Sequence, residues 1–218
     1  MRIKYLAHAS FLATAADGTR VQFDPYEPGG FGGALKYGKF TEPADAVVIS
    51  HDHADHSYAA GVPGNPTVIK GAEQQTVRGL TFRRVRAYHD SQRGGQRGEN
   101  IMTVCEMDGV CVCHVGDLGH VLSDEQAQQL GGIDVLLLPV GGYFTIDAAQ
   151  ATEVMNKLAP RVCIPMHYKT ARVNFPIAAV DDFLKGKANV KRLDRSEVEL
   201  MPLTLPTETE VWVLEPAL

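Results

Sequence analysis

Short runs in which apolar and polar residues alternate, punctuated by Gly, Pro, Asn and Asp, dominate the first half of the chain. They predict strands at residues 3–6, 10–13, 21–23 and 46–50, then near 67–69, 83–88, 101–107 and 110–115. The last two are joined by Asp108-Gly109, a hairpin signal. In the strand at 83–88, alternation sets Arg84 and Arg86 on a solvent face opposite Val85 and Ala87. The Gly/Pro-rich stretch 28–33 reads as a loop within a domain, not a linker.

The second half changes period. Ser123-Asp124-Glu125-Gln126 is a capping box that opens a helix, 135–138 is a wholly apolar strand, and 146–158 has helical spacing. A further strand at 162–166 precedes a helix near 177–184. Strands followed by strand-helix alternation suit two packed sheets with helices on both outer faces, an α/β four-layer αβ/βα sandwich. With no repeat and no low-complexity segment, residues 1–218 are expected to form a single domain.

Composition narrows the function classes. With 44% hydrophobic and 22% charged residues the chain is an ordinary folding sequence. No run approaches the ~18 apolar residues of a membrane span. A net charge of −5 argues against nucleic acid as a partner and for a small-molecule substrate. Cys111 and Cys113 fall on one face of a strand, so they cannot easily pair and read as buried reduced thiols. Tyr5, His8 and Ser10 interrupt the short apolar run near the start, which reads as a strand and not an export signal, so the cytoplasm is the expected location. A homo-oligomer would find its best contact in the Gly-rich stretch 28–37.

The chemistry concentrates where the strand at 46–50 ends, in His51-Asp52-His53-Ala54-Asp55-His56. Imidazole and carboxylate are the ligand types of zinc and similar divalent ions, and four in six residues can feed two adjacent metals. A tight turn entering a helix would send His51 and His53 to one side and Asp55 and His56 to the other. Three later residues each follow a predicted strand: His89, Asp117 in Val115-Gly116-Asp117, and His167 in Pro165-Met166-His167.

In this order and spacing the motifs resemble the metallo-β-lactamase superfamily across nearly the whole chain. Ala7-His8-Ala9-Ser10, Phe23-Asp24-Pro25, His89-Asp90 and Gly116-Asp117-Leu118-Gly119-His120 resemble the branch that contains L-ascorbate-6-phosphate lactonase. The resemblance implies two divalent ions, zinc first and manganese or iron as alternatives. It assigns His51, His53 and His89 to one metal, Asp55, His56 and His167 to the other, and Asp117 to both.

It further implies hydrolysis of a small ester-like bond (lactone, carboxylic ester or phosphodiester) by a metal-bound hydroxide. Asp55 would orient the water and shuttle a proton, and His8 and His120 would contact the substrate. Asp24 is a candidate acceptor for a ligand histidine, and His114 a packing residue behind the ligands. In the glycine-rich loop after His89, Arg93 and Arg97 can bring a guanidinium over the metals to hold an anionic substrate. Tyr143 and Lys169 also follow strands and are pocket candidates. Two other readings remain open: an RNA or nucleotide phosphodiesterase, and a non-catalytic metal-bearing binding or sensor protein.

Overall fold

The computed structural model describes residues 1–218. Strands β1 (Arg2–Ala7), β2 (Ser10–Thr14), β3 (Arg20–Phe23), β4 (Ala46–Val48) and β5 (Thr67–Ile69) form one sheet with β13 (Glu197–Glu199), in the order β13-β1-β2-β3-β4-β5. The second sheet combines β6 (Gln75–Val77), β7 (Leu80–Tyr88), β8 (Glu99–Met107) and β9 (Val110–His114) with β10 (Val135–Pro139), β11 (Val162–Met166), β12 (Val190–Leu193) and β14 (Glu210–Leu214). Its order is β12-β14-β11-β10-β9-β8-β7-β6.

Alternation explains why the first sheet is covered twice. Ile3, Tyr5, Phe11, Phe23 and Val48 face the second sheet and join one continuous cluster of 49 buried residues. Leu6, Leu12, Val47 and Ile49 point the other way, into a 13-residue cluster with Tyr26, Leu35, Tyr37 and Phe40. The segment after β3 therefore serves as the outer layer here. It contains only one short turn, α1 (Gly30–Gly33), broken by positive φ at Phe31 and Gly32.

Helices α2 (Asp124–Leu130), α3 (Ala148–Leu158) and α4 (Val180–Leu184) lie on the second sheet, with α2 against β7 and α3 against β10 and α4. The expected capping box at Ser123 is formed, its hydroxyl accepting from the Gln126 N–H. Helix α3 starts later than its apolar pattern suggests because Asp147 takes the cap and accepts from the Ala149 and Gln150 N–H groups. The β8–β9 hairpin turns at Asp108 and Gly109, both at positive φ, as a two-residue connection of this handedness requires. No helix is long and apolar enough to cross a membrane.

Arg84 departs from expectation. Its side chain is buried, donating to the Gly71 carbonyl (2.9 Å), the Thr103 hydroxyl (2.6 Å) and the Ile49 carbonyl (2.6 Å). It shares a strand face with Phe82, which is the inward face at that point, and it ties β7 and β8 to the exit of β4. Only Arg86 of that pair faces solvent, paired to Glu99.

Strand direction gathers the chemistry. β1 and β3 both run antiparallel to β2, and β3 is parallel to β4, so β1, β3 and β4 end at one edge. By the same reckoning β7, β9, β10 and β11 share a direction and end together. Connections leaving the carboxyl ends of such strands are where α/β sheets hold their ligands.

Candidate metal centre

The chain leaves β4 at Ser50 and passes through residues 51–56 as bends and turns, closed by a His56 N–H to His53 carbonyl bond (2.9 Å), not as the start of a helix. The split expected of this run occurs nonetheless. His51, His53 and His89 place donor atoms within 4.8 Å of one another, and His8, Asp55, His56 and His167 form a second such group. Asp117 lies between them: its Oδ2 is 3.1 Å from His89 Nε2, 3.2 Å from His56 Nε2, 3.5 Å from His167 Nε2 and 3.9 Å from His51 Nε2.

A chain of hydrogen bonds behind these groups fixes which ring nitrogens are free. Asp24 is buried and accepts from the Ser50 N–H (2.8 Å), the Ser50 hydroxyl (2.5 Å) and His56 Nδ1–H (2.8 Å). Because the Ser50 proton is committed to Asp24, its oxygen accepts from His51 Nδ1–H (2.9 Å). Both histidines thus turn Nε2 toward the cluster, with one carboxylate setting both tautomers.

His51 Nε2 stands 3.0 Å from His53 Nδ1, close to the about 3.3 Å between two nitrogens that share a tetrahedral ion at bonds of ~2.0–2.1 Å.

Glycines let the backbones approach. A Cβ on Gly116, which has positive φ, would lie 2.5 Å from the Ser50 Cβ, and one on Gly119 would lie 2.2 Å from the His89 carbonyl carbon. Asn100 holds the intervening turn, accepting from the Asp117 N–H (2.9 Å) and donating to the Val115 carbonyl (2.8 Å). His114 stacks on Phe23, donates from Nε2 to the Ala9 carbonyl (2.8 Å) and accepts the Gly116 N–H at Nδ1 (3.1 Å). It thereby couples the His8 turn to the Asp117 turn without entering the cluster.

The electrostatics are those of a site built for cations. Burial, then the neighbouring His56, pushes the His51 imidazole down to about 3. Burial does the same to His167, although Asp117 opposes it. Against its own burial, Asp117 and Asp55 raise His56 well above the usual imidazole range. Asp117 is held low by His167, His56 and His89 despite burial.

Buried side-chain polar atoms without a hydrogen-bond partner occur only here: His8 Nδ1, His56 Nε2, His89 Nδ1, Asp117 Oδ1 and His167 Nδ1. Orphaned atoms are costly in a folded interior, and their concentration in one His/Asp cluster fits one or two divalent ions.

The remaining sequence candidates separate. His8 is inside: it is fully buried at positive φ, with Nε2 3.0 Å from Asp55 Oδ2 and its ring 4.2 Å from that of His167. His120 is not. Its Nδ1–H donates to the Val121 carbonyl (2.9 Å) and its Nε2 accepts the Tyr88 N–H (3.2 Å), which turns it toward a different depression shared with Arg93.

Arg93 is exposed there, whereas Arg97 lines the cavity at the cluster. Asp90 decides between them: its carboxylate accepts the N–H groups of Gln92, Gly94, Gln96 and Arg97 at 2.8–2.9 Å and wraps the loop around itself. Against the burial that would raise it, these four donors hold the Asp90 carboxyl down to about 2.

Tyr143 is 66% exposed and points away; its neighbour Phe144 lines the cavity with Phe31 and Phe175. Lys169 is turned aside to the Phe175 carbonyl (2.8 Å). Nothing in the sequence singled out the three phenylalanines, which lie in turns where alternation does not apply.

Residues 2–167 match the family model of the β-lactamase superfamily domain, and the chain belongs to that superfamily as a metal-binding hydrolase of the metallo-β-lactamase fold. Within it, the chain is similar to the UPF0173 metal-dependent hydrolases. It is 30% identical to one from Thermococcus onnurineus, covering 92% of this chain and 96% of that protein. To another, from Archaeoglobus fulgidus, it is also 30% identical, covering 93% and 96%. A crystal structure of a metallo-β-lactamase-superfamily protein from Thermotoga maritima aligns with a TM-score of 0.79 and 37% identity over 98% of each chain.

Proposed function

We propose that residues 1–218 form one hydrolase domain that cleaves a small ester-like bond, with His51, His53 and His89 holding one divalent ion, Asp55, His56 and His167 a second, and Asp117 shared. Zinc is the first candidate for both. The observation that carries this reading is the gathering of all orphaned buried polar atoms into the His/Asp cluster at the foot of a cavity.

Ions bound in such a site acidify a coordinated water toward neutrality and polarise the oxygen of the bond to be cleaved. The chain's own groups do the rest. Asp24 and Ser50 keep His56 and His51 in the tautomers that leave Nε2 free. Asp55, bonded to His8, is placed to orient the attacking water and pass its proton on, and the His8–Asp55 bond keeps that carboxylate aimed at the cluster. Arg97 is the group offered to an anionic substrate, and four free thiols suit the cytoplasm. A lactone or carboxylic ester is preferred to a nucleic acid because the one unpaired guanidinium at the site sits beside phenylalanines, not in a basic track.

Protein purified without chelator should carry about two equivalents of metal. His53→Ala and Asp117→Ala should lose metal together with turnover over a screen of lactones, carboxylic esters and phosphodiesters. A metal-free wild type, or metal-loaded protein inert to the whole screen, would refute this reading.

A further inference from the structure

Two cavities meet at the cluster, and they differ in chemistry. One, about 210 Å³, is lined by Phe31, Phe144 and Phe175 together with His53, Asp55, His89, Asp117 and His167. These rings touch in series: Phe31 and Phe144 each meet Phe175 edge-on, at 5.4 and 5.7 Å between centroids. The other, about 370 Å³, is polar and carries Lys70, Arg86, Asp52 and Glu99. His53 and Arg97 line both.

Charge pairing singles out one residue. In the polar cavity Lys70 is paired with Asp52 (2.5 Å) and Arg86 with Glu99 (2.8 Å). The Arg97 guanidinium has neither an ion pair nor a hydrogen bond; its contact is with the face of Phe144, 5.7 Å from the ring centroid. That contact supplies no acceptor oxygen, so the guanidinium N–H donors remain without an acceptor. Its backbone is already fixed, because the Arg97 N–H is one of the four held by Asp90. A pre-positioned, half-buried and unpaired guanidinium at the junction of two cavities is built for an anion.

We propose that the substrate is two-ended: a small ester or lactone with an apolar ring or short chain among Phe31, Phe144 and Phe175, and a carboxylate or phosphate on Arg97. The bond to be cleaved then faces the cluster, whose residues line the same cavity as Arg97 and the three rings. Water adds across the acyl–oxygen bond, releasing a carboxylic acid and an alcohol, or one hydroxy acid from a lactone. This rests on the hydrolase reading above but is tested without turnover.

The experiment is calorimetric titration of the metal-loaded protein with phenylpropanoate, phenethylphosphonate, phenylpropanamide and propanoate. At least one aryl anion should bind about tenfold tighter than both the neutral amide and ringless propanoate, the tighter of the two anions naming the charged group. Arg97→Met should bring the anion-to-amide ratio close to one. Phe31→Ala, at an exposed position that the fold does not need, should shrink the aryl-to-ringless ratio, and Phe175→Ala should shrink it further.

An anion preference that survives Arg97→Met and disappears on chelation would place the anion on the metals and overturn the proposal. So would equal binding of acid and amide, equal binding of phenylpropanoate and propanoate, or no binding at all. Ester turnover without these ratios would sink this proposal alone; the ratios without turnover of any ester would sink the hydrolase reading alone.

Discussion

Two histidines that looked alike in the sequence differ in the partners of their nitrogens. His8 brings Nε2 to Asp55 and leaves Nδ1 without a partner inside the cluster, while His120 spends both nitrogens on backbone groups. Type and spacing reveal neither, because tautomer and ring direction are set by atoms distant in sequence. Asp24 was legible as an acceptor, but its reach to His51 through Ser50 was not. Asp24→Ala should therefore release the rings of two candidate ligands, His51 and His56, at once and weaken metal binding by about 10–100-fold in competition with a chromophoric chelator, with the circular dichroism retained. His120→Ala should leave metal content unchanged and lower stability by about 1 kcal/mol, since the Tyr88 N–H loses its acceptor. Metal loss in the second variant and not the first would reverse both assignments.

The elements that carry the candidate ligands were readable because each couples strong alternation or an apolar run to a distinctive exit, as with β4 before His51 and β11 before His167. β6, β12 and β13 are three or four residues long and half exposed, so alternation has too few positions to register. β14 was readable in principle from Val211, Val213 and Leu214 but carries no motif. The glycines mark the segment after β7 as a loop, yet what selects Arg97 over Arg93 is the set of four N–H bonds to Asp90, which the sequence does not show. In β7 the expectation held at Val85, Ala87 and Arg86 and failed at Arg84 alone, which follows Phe82 inward. Arg84→Met keeps the length of the side chain and removes three hydrogen bonds, stranding the Ile49 carbonyl next to the ligand-bearing exit of β4. Urea unfolding should register a loss of about 2–3 kcal/mol. A change within ~0.5 kcal/mol, the size of an ordinary surface substitution, would return Arg84 to the solvent-face role its alternation suggested.

At the scale of the molecule the cluster does more than sit on the fold. One sheet supplies His8, Asp24 and residues 51–56 from the ends of β1, β3 and β4; the other supplies His89, Asp117 and His167 from the ends of β7, β9 and β11. The two sheets are otherwise joined by apolar packing and by the Arg84 bridge. Ions held by donors from both edges would fasten one sheet to the other, and in their absence the cluster keeps orphaned buried atoms at this seam. Chelation should therefore lower global stability and not merely loosen the loops. At free metal about 100-fold above its dissociation constant the bound form should gain about 2.7 kcal/mol, with a midpoint that climbs further as metal is added. Hydrogen exchange decides what kind of stability this is: slowed exchange in β1–β4 and in β7–β11 alike marks a staple between sheets. Protection confined to residues 51–56 and the turn at Asp117 would mean that the ions order only their own loops, on a sandwich already complete without them.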